Sequence, residues 1–155
     1  MTETAEIVRL AARGDGVTAD GRHAPGTAPG DRVDAAGLLL TPGPHHLAPA
    51  CRHYGTCGGC QLQRVDDATY ATFIVDRIAG ALAGQGIDMP PAAVAHLSPP
   101  GARRRAALKA LPRGREVLIG FNEAESHRLV DLAECPVLHP ALAALLLPLR
   151  RLLAG

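Results

Sequence analysis

Residues 51–70 read CRHYGTCGGCQLQRVDDATY, and the chain changes character within them. Three of its four cysteines, Cys51, Cys57 and Cys60, fall in the first half with spacing C-x5-C-x2-C, and a helical pattern opens in the second. Upstream the sequence reads as short strands broken by turns. Downstream a helix gives way to strand-like pieces and a Leu-rich end. The fold class this predicts is α+β.

Working upstream, AEIVRLA, the turn Gly14-Asp15-Gly16, VTAD and the turn Asp20-Gly21 form a hairpin signal. Such a run predicts a small all-β barrel between Ala5 and about Leu40. The pieces after it, HAPGTAPGDRV and LLLTPGPHHLAP, are rich in Pro and Gly, and only RV and LLL read as further strands, so the expected barrel is abbreviated and incomplete.

Downstream, Tyr70, Phe73, Ile74, Ile78 and Leu82 recur at helical spacing, with Asp66 or Asp67 as N-cap and Gly84 or Gly86 as stop. After a linker punctuated by Pro pairs at 90–91 and 99–100, RRRAALKAL, the turn PRGR and EVLIGF predict a hairpin, with SHRLVDL as a third strand. Pro140 suits the first position of a helix running through ALAALLLPLRRLLA, which Pro148 should kink or end.

The 155 residues are 47% hydrophobic, enough to bury a core, so the chain is globular rather than disordered. Its start has no basic region followed by an apolar one, and no stretch reaches the 18 or so apolar residues of a membrane helix. The chain therefore reads as cytoplasmic, with no membrane partner. In that reducing compartment cysteines are metal ligands or reactive thiols more often than disulfides.

A fourth cysteine, Cys135, precedes Pro136 and lies 75 residues beyond Cys60. Four thiolates are the usual complement of a cubane iron–sulfur cluster, and ligands close in sequence must come from a tight loop around it. Gly55, Gly58 and Gly59 supply that loop, and distant Cys135 staples it to another element. Zinc is the competing reading, although structural four-cysteine zinc sites usually show two C-x2-C knuckles and this sequence has one. The C-x3-C-x2-C pattern of radical-SAM enzymes is absent.

In RRRAALKAL, a period of two places Arg103, Arg105, Ala107 and Lys109 on one face and Arg104, Ala106, Leu108 and Ala110 on the other. That face, extended by Arg113 and Arg115, suits RNA phosphates; a solvated outer sheet face is the bland alternative. The charge distribution agrees: the net is +1 overall but −2, −1 and +4 over residues 1–50, 51–100 and 101–155. Any polyanion meets the last third. With aromatics at 3% and no Trp, base stacking is disfavoured. His53 reads by default as an exposed loop histidine, and His45 and His46 lack nearby partners for a metal site. Ser126, His127 and Asp131 do not make a triad, since Ser126 and His127 point to opposite faces of a strand.

The run CRHYGTCGGCQLQRVDDATY, with RRRAAL, IGFNEAESHRLVDLAECPVL and the helix after it, strongly resembles the bacterial 23S rRNA (uracil-5-)-methyltransferase family. AEIVRLAARGDGVTADGRHAPGTAPGDRV is similar to that family's RNA-binding TRAM domain, an OB-like barrel. The resemblance implies that Cys51, Cys57, Cys60 and Cys135 ligate a 4Fe-4S cluster that is structural and aids RNA recognition. It also implies that catalysis belongs to a C-terminal Rossmann-like domain binding S-adenosylmethionine, where a cysteine adds to uracil C6 and a glutamate removes the C5 proton.

All four cysteines here are assigned to the cluster, so none is left as nucleophile, and the chain alone is expected to be inactive. The domains expected are a TRAM-like segment over 1–46 and an iron–sulfur and central RNA-recognition region over 47–155, incomplete and without the catalytic domain. Two other functions compete with this one: a free-standing iron–sulfur electron carrier or redox sensor, and a zinc-stabilised RNA-binding module.

Overall fold

A computed structural model of the chain describes residues 4–91 and 94–154. The first three residues of the expected barrel segment and the final glycine of the second region lie outside them. The chain forms two compact units, Met1–Ala48 with Leu62–Leu97 and Pro49–Gln61 with Ser98–Gly155. It passes from the first to the second and back before completing either.

The first unit holds a curled, open antiparallel sheet of five strands in the order β3-β2-β1-β4-β5, so the barrel-like start is present. The strands are β1 (Ala5–Leu10), β2 (Gly16–Thr18), β3 (His23–Ala24), β4 (Arg32–Val33) and β5 (Leu39–Thr41). The turn signals at 14–16 and 20–21 make the β1–β2 and β2–β3 connections. β1 bends where its pairing shifts register between Ile7 and Arg9. Ile7, Ala24 and Val33 form the core of the curl, each 1% exposed or less. Among the described residues no strand joins β3 to β5, but the β4–β5 turn reaches the β3 edge, where an Arg22 guanidinium nitrogen donates to the Ala35 carbonyl at 3.1 Å.

The same unit carries α1 (Asp67–Ala83), capped as the sequence predicts: the Thr69 amide donates to Asp66 Oδ1 at 2.7 Å. Its end is a Schellman closure. The Ile87 amide donates to Leu82 O at 3.0 Å and the Gly86 amide to Ala83 O at 3.0 Å, with Gly86 at φ +70°, so Gly86 is the stop. None of its side chains is buried.

The second unit is built on a three-stranded antiparallel sheet, β6 (Lys109–Arg113), β7 (Glu116–Asn122) and β8 (Leu129–Asp131), with β7 central. Val117, Ile119, Leu132 and Leu146 make its core, backed by Leu108 and Phe121. The predicted C-terminal helix is two helices, α2 (Pro140–Ala143) and α3 (Leu146–Leu153). Pro148 lacks the N–H that would bond Ala144 and its ring crowds that carbonyl, so the break falls one turn ahead of it, and Pro148 sits in the first turn of α3. Among the described residues no helix is long and apolar enough to cross a membrane.

Candidate metal centre

All four cysteines lie in the second unit. The loop that carries three of them joins the β-sheet by its backbone: Cys57 pairs antiparallel with Glu123, the Gly58 amide donates to Asn122 O at 2.9 Å, and the Ala124 amide to Thr56 O at 3.1 Å. Residues 56–58 thus act as a short strand beside the end of β7. Gly58 permits that approach, because a Cβ there would stand 3.1 Å from Asn122 O and 3.2 Å from the Ala124 backbone.

The loop is also closed on itself. The amides of Thr56 and Cys57 both donate to His53 O, at 3.2 and 2.8 Å; Gly55 turns the chain at φ +86°; and the Tyr54 hydroxyl donates to Gln61 O at 2.5 Å. Cys135 follows β8, and its segment pairs with the start of the arginine run. Arg103 N donates to Val137 O at 3.1 Å, and His139 N donates to Arg103 O at 2.9 Å.

The four thiols are half-buried and none is in a disulfide. Burial pushes the Cys57 thiol up; the Gly59 amide opposes this, and the thiols of Cys60, Cys51 and Cys135 add to the rise. They are not drawn together as a finished set: among the described residues no group of three or more His, Cys, Asp or Glu side chains stands ready to hold a metal ion. Loading such a site must itself deprotonate and gather the thiols.

The basic stretch departs from its predicted form. β6 begins at Lys109, and between Arg103 and Leu108 the only strand-like pairing is one parallel bridge from Arg103 to Leu138. Arg103, Arg104, Arg105, Ala106 and Ala107 are all exposed, so no basic face opposes an apolar one. The cause is the ladder just described, which commits the Arg103 backbone to the segment after Cys135. Lys109 opens an edge strand exposed along its whole length; Arg113 ends that strand and Arg115 lies in the β6–β7 turn. The result is an exposed basic rim rather than a striped strand.

The histidines hold partners that the sequence does not show. His45 Nδ1 lies 2.7 Å from Asp66, the α1 cap. His46 Nδ1 lies 2.7 Å from Asp31, a carboxylate with no exposure that also accepts from the Ala28 and Gly43 amides at 2.7 Å each. That cluster pins the 42–46 stretch to the curled sheet; burial of an Asp paired with a His fifteen residues later leaves no local pattern to read. His53 is half-buried, and its Nε2 accepts from the Ala133 amide at 3.1 Å. Ser126 caps its own turn by accepting from the Arg128 amide, and Asp131 bonds Arg150, so these residues form no triad.

No family model matches the chain. An uncharacterized RNA methyltransferase of Zymomonas mobilis is 45% identical over 148 residues, 96% of this chain and 37% of that protein. One of Rhizobium meliloti is 37% identical over 171 residues, 99% of this chain and 41% of that protein. The 23S rRNA (uracil(1939)-C(5))-methyltransferase RlmD of Halomonas elongata is 38% identical over 140 residues, 81% of this chain and 29% of that protein. The chain thus spans less than half the length of the curated relatives it matches, and the match lies in their N-terminal part. Relatives 37–45% identical over most of this chain are thus named RNA methyltransferases, 23S rRNA (uracil-C5)-methyltransferase RlmD among them, and the chain is similar to the N-terminal part of each.

Proposed function

We propose that this chain is the RNA-binding, 4Fe-4S-bearing N-terminal portion of an S-adenosylmethionine-dependent 23S rRNA (uracil-5-)-methyltransferase, with Cys51, Cys57, Cys60 and Cys135 as the cluster ligands. The observation that carries it is that all four cysteines fall in one compact unit, three on a loop paired with the end of β7 and one on the segment after β8. The donor set fits the group in kind and number: four thiols, three on a glycine-containing loop pinned to β7 and one on the segment after β8. A cluster, when bound, supplies iron–thiolate bonds that cross-link those two segments.

The protein's own residues do the rest. Gly58 and the 56–58 backbone hold the loop on the sheet, and the ladder through Arg103 carries the Cys135 segment into the basic rim. Arg103, Arg104, Arg105 and Lys109, with Arg113 and Arg115, then meet RNA phosphates, ribosomal RNA being the target the RlmD relatives name. With every thiol given to the cluster, these residues contribute binding and not the nucleophile of methyl transfer. A TRAM-like role for the curled sheet and a cytoplasmic location, where four free thiols stay reduced, complete the reading.

Anaerobic purification of the full chain followed by iron, sulfide and zinc analysis tests this. About four iron atoms and four sulfides per chain are expected for a cubane. Stoichiometric zinc without sulfide overturns the cluster assignment.

A further inference from the structure

We infer that His53 is a positioning residue of the metal centre, holding the three-thiol loop at a set distance from Cys135 before and after the cluster is bound. The inference rests on the cluster reading above. Its ground is a single residue making contacts in two directions. The His53 carbonyl accepts from the Thr56 and Cys57 amides at 3.2 and 2.8 Å, which folds the loop leading into Cys57. Its ring crosses 80 residues of sequence to accept from the Ala133 amide at 3.1 Å, two residues before Cys135.

A backbone amide can only donate, so Nε2 is the bare nitrogen and the neutral ring carries its proton on Nδ1. With Nε2 engaged in this way, the ring serves the site through the chain rather than as a ligand by that nitrogen. The neighbouring Arg52–Glu134 ion pair spans the same gap at 3.3 Å, but its side chains are 66% and 47% exposed, and such pairs contribute little. Beside that exposed ion pair, the hydrogen bond from the Ala133 amide to the His53 ring joins the two ligand-bearing segments.

Four thiols gathered from two segments lose chain entropy when a cluster closes them. A contact that fixes their separation beforehand lowers that cost and slows release, as supporting groups around metal ligands commonly do. Removing it leaves all four ligands in place but frees one segment to drift from the other.

The test compares the full-length chain with His53→Ala, His53→Gln and Arg52→Ala, each reconstituted anaerobically. Iron and sulfide content, the visible and electron-paramagnetic-resonance spectra, and the rate of iron loss to a chelator are recorded. Gln can place an acceptor oxygen near the position of Nε2. His53→Ala is expected to lose iron about 10-fold faster than wild type, in the range seen when supporting residues around metal ligands are removed, and to show an altered spectrum. His53→Gln should restore most of the difference, and Arg52→Ala should behave as wild type. Equal loss rates and spectra for His53→Ala and wild type overturn the inference, as does a Gln variant no better than Ala. Wild-type chain that takes up no iron and sulfide overturns the cluster reading and this inference together, and so is told apart from either of those outcomes.

Discussion

At the scale of single residues, the proposal for the four cysteines is carried by residue type and spacing, and both survive in the bare sequence. Cys135→Ala should leave a chain that no longer retains a full cluster; iron and sulfide analysis checks this, and unchanged loading would remove Cys135 from the ligand set. Gly58 offers a second test, since a methyl group there meets backbone at 3.1–3.2 Å on two residues. Gly58→Ala should weaken the pairing of 56–58 with 122–124 and destabilise the second unit by about 1–3 kcal/mol, read from the urea midpoint. His53 and Asp31 were not legible. Their partners, Ala133 and His46, are distant in sequence, and one of them is a backbone amide, which carries no residue identity at all.

At the scale of elements, α1 was read nearly to the residue because its cap, its periodicity and its glycine stop are all local. Its cap also gives a pH test. The Thr69 amide first, and His45 second, hold the Asp66 carboxyl below the usual carboxylate range. A carboxyl depressed in the folded state adds stability above its ordinary pKa of about 4, and that contribution disappears as pH falls through the folded value. Asp66→Ala should therefore cost about 1 kcal/mol at neutral pH, and the gap from wild type should close in acid, as followed by urea unfolding at several pH values. The start of β6 was misplaced because period-two alternation describes any extended run, whether or not a partner strand is there. What decides the structure at Arg103 is pairing with Val137 and His139, set by the route of the chain after Cys135. The split between α2 and α3 shows the same limit in milder form: Pro148 announces a break, but its position one turn earlier comes from the carbonyl it would crowd.

At the scale of the whole molecule, net charge of +1 hides a basic last third, and Arg103, whose backbone pairs with the segment after Cys135, stands exposed there with Arg104 and Arg105. Reversing Arg103 and Arg105 to Glu should weaken RNA binding and flatten its dependence on salt, by about one unit of slope for each phosphate no longer neutralised, as measured by titration at several salt concentrations. Unchanged affinity would move the RNA surface elsewhere. The two-unit division was not readable from composition, because the segment Pro49–Gln61 belongs with residues that come after Leu97 while the helix between them belongs with the residues before it.

That order has a consequence in time. A ribosome adding about 5–20 residues per second finishes Cys60 roughly 4–15 s before it reaches Cys135, 75 residues on. For that interval the nascent chain presents three thiols with no fourth, and for most of it the loop's docking strand, β7, has yet to be made. On the proposed cluster assignment, iron delivery comes late in synthesis or after it, and early exposure to oxidant should damage a half-made chain more than a finished one.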